Sequence, residues 1–168
     1  MSKKFRFALV LICVFVLTSV AYADSVAYRV HVADFGWQGW VTDGMVAGST
    51  GRGRRIEAIQ IDVPYSGITY RVHVANRGWL NWVYDAATAG TTGQHRQAEA
   101  IQIRLTGDMA ANYYVEYRVH VENYGWLGWV SDGEVAGTTG RGLRMEAIQI
   151  RLVEKYRRRG RGPVRGYF

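Results

Sequence analysis

The chain has 168 residues, a formal net charge of +7 and one cysteine. A single cysteine excludes an internal disulfide framework and any zinc set built on several thiolates. The charge sits at the two ends, because the span 24–152 holds 12 basic against 13 acidic side chains; nucleic acid as the main target is disfavoured by the export signal that opens the chain.

The first 23 residues read as an export signal. Lys3, Lys4 and Arg6 precede an apolar run from Phe7 to Val20, and Ala21-Tyr22-Ala23 supplies small residues for cleavage before Asp24. The run is short for a membrane span, which needs about 20 residues, and it contains Cys13, the only cysteine. The expected mature chain is therefore secreted or held in the cell envelope, with no transmembrane segment and no thiol. At the other end, residues 153–168 form a basic tail expected to be disordered. Lys155, Arg157, Arg158, Arg159, Arg161 and Arg165 face only Glu154 in charge, which suits attachment to an anionic surface.

Between the ends one unit of 36 residues occurs three times without a gap, over 28–63, 70–105 and 117–152. The offsets are 42 and 47 residues, a period that marks a repeat architecture. In chain order, Tyr28 to Val32 alternates apolar and polar residues, predicting a half-buried strand. Gly36 breaks the run, and Trp37 to Val41 predicts a second strand. Asp43-Gly44 signals a turn, and Ala47 to Gly53 a glycine-rich loop. Ile56 to Val63 closes the unit as an alternating strand, with Glu57, Ile59, Ile61 and Val63 on one face. Helical periodicity is absent outside the signal, so the expected class is all-β.

The connectors, 64–69 and 106–116, are too short to link independent folds. A unit of 36 residues without disulfide or metal buries too little surface to stand alone. The three copies must share one core around a pseudo-threefold axis, β-prism-like or trefoil-like, and closure is favoured over an open array because no copy looks like a cap.

Gly36-Trp37, Trp40, Asp43, Gly48, Thr50-Gly51 and Glu57 to Ile61 are kept in every copy. With these residues the chain resembles the hydrophobic W repeat family of clostridial secreted proteins. Copy two departs at Asp85-Ala86 and at Gln94-His95-Arg96. The resemblance implies an exported cell-surface module for carbohydrate binding or adhesion.

The residue types agree with that expectation. An indole face stacks on a pyranose, while carboxylate and hydroxyl groups take sugar hydroxyls. Each copy offers one such set: Trp37, Asp43 and Thr50; Trp79, Asp85 and Thr92; Trp126, Asp132 and Thr139. Three sites would give a multivalent lectin-like module with avidity. Competing structural roles are a tryptophan core, an aspartate that shapes its turn, and Glu57 tied to backbone donors or an arginine. His31, His73 and His120 occupy equivalent positions, but each shares a strand face with Arg29, Arg71 or Arg118, which points to solvent rather than a shared metal. The chain has no catalytic or cofactor motif, and threefold repetition suits binding better than catalysis, so a non-enzyme without cofactor is expected. The alternative is a structural or adhesive envelope protein held by its Arg-rich tail.

Overall fold

The computed structural model describes residues 24–155. The signal segment and the tail beyond Lys155 lie outside the described residues.

The first repeat forms β1 (Ala27–Val32), β2 (Gly36–Trp37), β3 (Val41–Thr42), β4 (Ala47–Gly48) and β5 (Ile56–Asp62). The second forms β6 (Ile68–Val74), β7 (Gly78–Trp79), β8 (Val83–Tyr84), β9 (Ala89–Gly90) and β10 (Ala98–Leu105). The third forms β11 (Tyr113–Val121), β12 (Gly125–Trp126), β13 (Val130–Ser131), β14 (Ala136–Gly137) and β15 (Met145–Glu154). The chain is thus all-β, in three similar sheets. Two expectations need correction. A short helix, α1 (Gly107–Asn112), fills the second connector, because six residues carry no readable period. β15 runs to Glu154, so Val153 and Glu154 belong to the body, not to the tail.

In each repeat the two long strands pair antiparallel, with Val30 opposite Ile59, Val72 opposite Ile101 and Val119 opposite Ile148. The fifth strand of each sheet comes from another repeat. β9 pairs with β5, β14 with β10, and β4 with β15. The last pairing joins the first repeat to the third, so the exchange is cyclic and the ring closes.

One face of every sheet turns inward. Tyr28, Tyr70 and Tyr117, with Ile59, Ile61, Ile101, Ile103, Ile148 and Ile150, are fully buried in a single cluster. None of the six tryptophans lies in that buried core. At each interface a tyrosine hydroxyl accepts from an amide of the neighbouring repeat: Tyr28 from Ile150 at 3.0 Å, Tyr70 from Ile61 at 3.0 Å, Tyr117 from Ile103 at 3.1 Å. The same hydroxyls donate to the carbonyls of Met45, Ala87 and Glu134 in their own repeats. Nearby, the turn amides of Gly44, Ala86 and Gly133 donate to Ile150, Ile61 and Ile103, each at 2.7 Å.

A β-bulge corrects the expected direction of Glu57. His31 lies opposite Ala58 and Val32 opposite Ile56, which leaves Glu57 as the extra residue. The bulge turns this carboxylate away from Ile59 and toward His31. Glu99 and Glu146 occupy the same kind of shift.

Candidate functional site

On the outward face of each sheet the side chains form a column. His31 meets Trp37 edge-on with ring centroids 5.5 Å apart, and the Arg29 guanidinium lies 5.0 Å from Trp37 and 4.9 Å from Trp40. Arg71 sits likewise between Trp79 (4.8 Å) and Trp82 (4.7 Å), and Arg118 between Trp126 and Trp129 (4.8 Å each). These are cation–π contacts, worth about 0.5–1 kcal/mol each at exposed sites and more where water is excluded. The arginines are held in place by the invariant glutamines. Gln60, Gln102 and Gln149 accept from Arg29, Arg71 and Arg118 at 2.7–2.8 Å. Their amide nitrogens donate across to Thr88 Oγ1 (3.0 Å), the Gly133 carbonyl (2.7 Å) and the Gly44 carbonyl (2.6 Å).

Farther along the column each histidine faces a buried glutamate. Nδ1 lies 3.2 Å from Glu57 in the first repeat and 3.1 Å from Glu99 and Glu146 in the others. The angles fall short of a hydrogen bond, so this is a close approach of the two side chains. Arg55 and Arg144 contact the second oxygen of Glu57 and Glu146, at 2.9 and 3.0 Å. The second repeat has Gln97 in that place, donating to Glu99 at 3.2 Å. Each histidine is thus committed to its own glutamate, and among the described residues no three metal-ligating side chains gather.

The residue sets expected to form sugar sites do not converge. Asp43 Oδ1 accepts from the amides of Val26 (3.4 Å) and Leu152 (3.1 Å), capping strands of two repeats. Asp85 and Asp132 accept from Ile68 and Val115 at 3.2 Å. Burial raises the Asp43 carboxyl above its ordinary 3.8, against these amides, which pull it down. Trp37 pairs with His31, whereas the Asp43 amide bonds to Val26, five residues back along the strand, or roughly 16 Å. Trp37, Trp79 and Trp126 are half-buried under their arginines. Thr50, Thr92 and Thr139 are exposed on the glycine-rich loops.

Two clefts flank the loop of the third repeat. One, of about 460 Å³, is lined by Tyr124, Leu127, Gly137, Thr138, Thr139 and Arg141. The other, about 690 Å³, lies toward the second repeat, where His73, Asn76, Arg77 and Gln97 meet Gly140 and Gly142. Tyr124 is 60% exposed. Its counterpart Phe35, 62% exposed, carries the Arg54 guanidinium at 4.0 Å, and Leu143 replaces that arginine in the third repeat. Tyr124 was missed in sequence because its position holds Phe35, Arg77 and Tyr124 in the three copies, so repetition gave no signal. Lys155, expected among the free cations of the tail, donates to the Ala110 carbonyl and lies 4.8 Å from the Tyr114 ring.

Among the described residues no helix is long and apolar enough to cross a membrane. No curated protein and no solved structure matches the chain. The family model for clostridial hydrophobic W repeats matches residues 31–64, 73–107 and 120–154; with three tandem copies over more than half its length, the chain belongs to that family.

Proposed function

We propose that this is an exported, non-enzymatic glycan-binding module that works outside the cell or in its envelope. The observation that supports it best is the cleft beside Tyr124. An exposed ring, the Thr139 hydroxyl, the Arg141 guanidinium and backbone at Gly137 open onto one space. That is the mixture of aromatic platform and few polar groups that a sugar ring uses. The second cleft, which touches the same loop at Gly140 and Gly142, adds Asn76, Arg77 and Gln97, which suits a ligand longer than one sugar unit. The Trp–Arg columns, by contrast, hold the sheets in register. Export rests on the residues before Asp24 and envelope attachment on the arginines after Lys155.

A glycan array with the whole protein tests the reading, with Arg157, Arg158, Arg159, Arg161 and Arg165 replaced by glutamine to remove non-specific attraction to acidic sugars. Selective binding is expected, weakened about tenfold by Tyr124→Ala, the equivalent of about 1.4 kcal/mol. Trp79→Phe should change affinity little. An array without a bound glycan, from protein with intact near-UV circular dichroism, would sink the proposal.

A further inference from the structure

The three outward columns differ at one end. In the second repeat Arg104 lies opposite Thr69, one pleat beyond Arg71, which is adjacent to Gln102. Its guanidinium stacks on Trp82 at 4.4 Å. In the third repeat Arg151 lies opposite Glu116 and stacks on Trp129 at 4.1 Å. There Arg151 also donates to Glu116 from Nε (3.0 Å) and Nη2 (2.7 Å). The second and third columns therefore end in an arginine laid on the outer tryptophan, and in the third that arginine is gripped by a carboxylate.

The first repeat keeps the tryptophan and lacks the arginine. Asp62, opposite Ala27, stands at the position of Arg104 and Arg151. Trp40 is consequently 43% exposed, whereas the other five tryptophans are half-buried. Asp62 is exposed and makes no ion pair among the described residues. An aromatic face and a carboxylate thus remain where two sister repeats show what fits. We propose that Trp40 and Asp62 form a receptor site for a guanidinium group, filled by an arginine side chain from outside the sheet. A planar guanidinium can lie on the ring and direct its N–H groups to the carboxylate at once, which a lysine ammonium does less well. Arg29 on the inner side of Trp40 is no obstacle, because Trp82 and Trp129 each accept two arginines.

Two sources carry this chemistry: the chain's own arginines at 157, 158, 159, 161 and 165, or an arginine of another polypeptide. The inference is independent of the glycan reading, since none of the cleft residues takes part. The test follows the Trp40 indole N–H signal by NMR in the whole protein at low salt, where surface charge is least screened. The probe is acetyl-Gly-Arg-Gly-amide, with the isosteric citrulline peptide as neutral control. The arginine peptide should move the Trp40 signal in the parent protein or in the variant with all five tail arginines replaced by glutamine, while Trp82 and Trp129 stay put. Asp62→Asn should weaken the response at least tenfold and Asp62→Arg should abolish it. A response seen only after tail replacement assigns the site to the chain's own arginines; a response in both assigns it to another polypeptide. Equal shifts from the citrulline peptide, an undiminished response in Asp62→Arg, or no response in either protein would overturn the proposal.

Discussion

Tyr28, Tyr70 and Tyr117 each place one hydroxyl between two repeats, in a setting from which water is excluded. Desolvation pushes all three phenols from 10.0 up to about 12, although the amides of Ile150, Ile61 and Ile103 oppose it. The folded state therefore holds these protons after the unfolded chain has released them. Stability from this source is whole below pH 10, the ordinary value, and is lost as pH rises toward about 12. Each tyrosine contributes on the order of 2 kcal/mol to that loss. Urea midpoints should fall steeply between about pH 10 and about pH 11.5; midpoints level across that window would show that the hydroxyls are not buried as described. Residue scale is also where sequence reading was weakest. Asp43, Asp85 and Asp132 are kept because each accepts a strand amide of its own repeat, and Asp43 one of the third repeat as well, a role that looks the same in sequence as a ligand contact. The tryptophans are kept because they sandwich arginines, and their hydrophobicity alone points to a core they do not enter. Ala86 is the informative exception among the turn residues. A Cβ on its counterpart Gly133 would lie 2.6 Å from Nε of the flexible Arg104 side chain, whereas one on Gly44 would meet nothing within 4 Å, so the turn itself leaves room for alanine.

At the scale of elements, the long strands were legible from alternation alone. Ile59, Ile61 and Val63 face inward and Arg29 and His31 outward, as period two requires. The two-residue strands β4, β9 and β14 were not legible as strands, since an Ala-Gly pair has no alternation to read and pairs with a different copy. The glycine is explained by the exchange. Gly90 has φ 109°, and a Cβ there would stand 2.3 Å from the Glu57 carbonyl oxygen and 2.7 Å from Ala58 Cα. Both obstacles are backbone, so neither can move aside. Gly90→Ala should therefore cost more than about 3 kcal/mol by chemical denaturation, and a loss below about 1 kcal/mol would mean that β9 does not seat against β5 as described.

The whole molecule is a ring in which each repeat lends a strand to one neighbour and receives one from the other. Threefold closure was legible from the absence of capping copies and the small size of one unit, but which strand closes the ring was not. Because β4 and β15 join the first repeat to the third, no repeat is peripheral, and damage at that seam spreads to all three. Gly48→Ala, whose Cβ would meet the Glu146 carbonyl oxygen at 2.3 Å, should lower stability as one cooperative unit. Tryptophan fluorescence and far-ultraviolet dichroism should then report one shared midpoint. Separate midpoints would show that the repeats fold on their own.

The strand exchange also bears on stoichiometry. The edge that one copy leaves open is the edge that another copy completes, whether or not a peptide bond joins them. A polypeptide carrying a single copy would be an incomplete third of a body and would assemble as a trimer. One carrying two would have to recruit more until the total divided by three. In this chain the tandem arrangement turns what would be a concentration-dependent assembly into an intramolecular one, so the ring survives dilution.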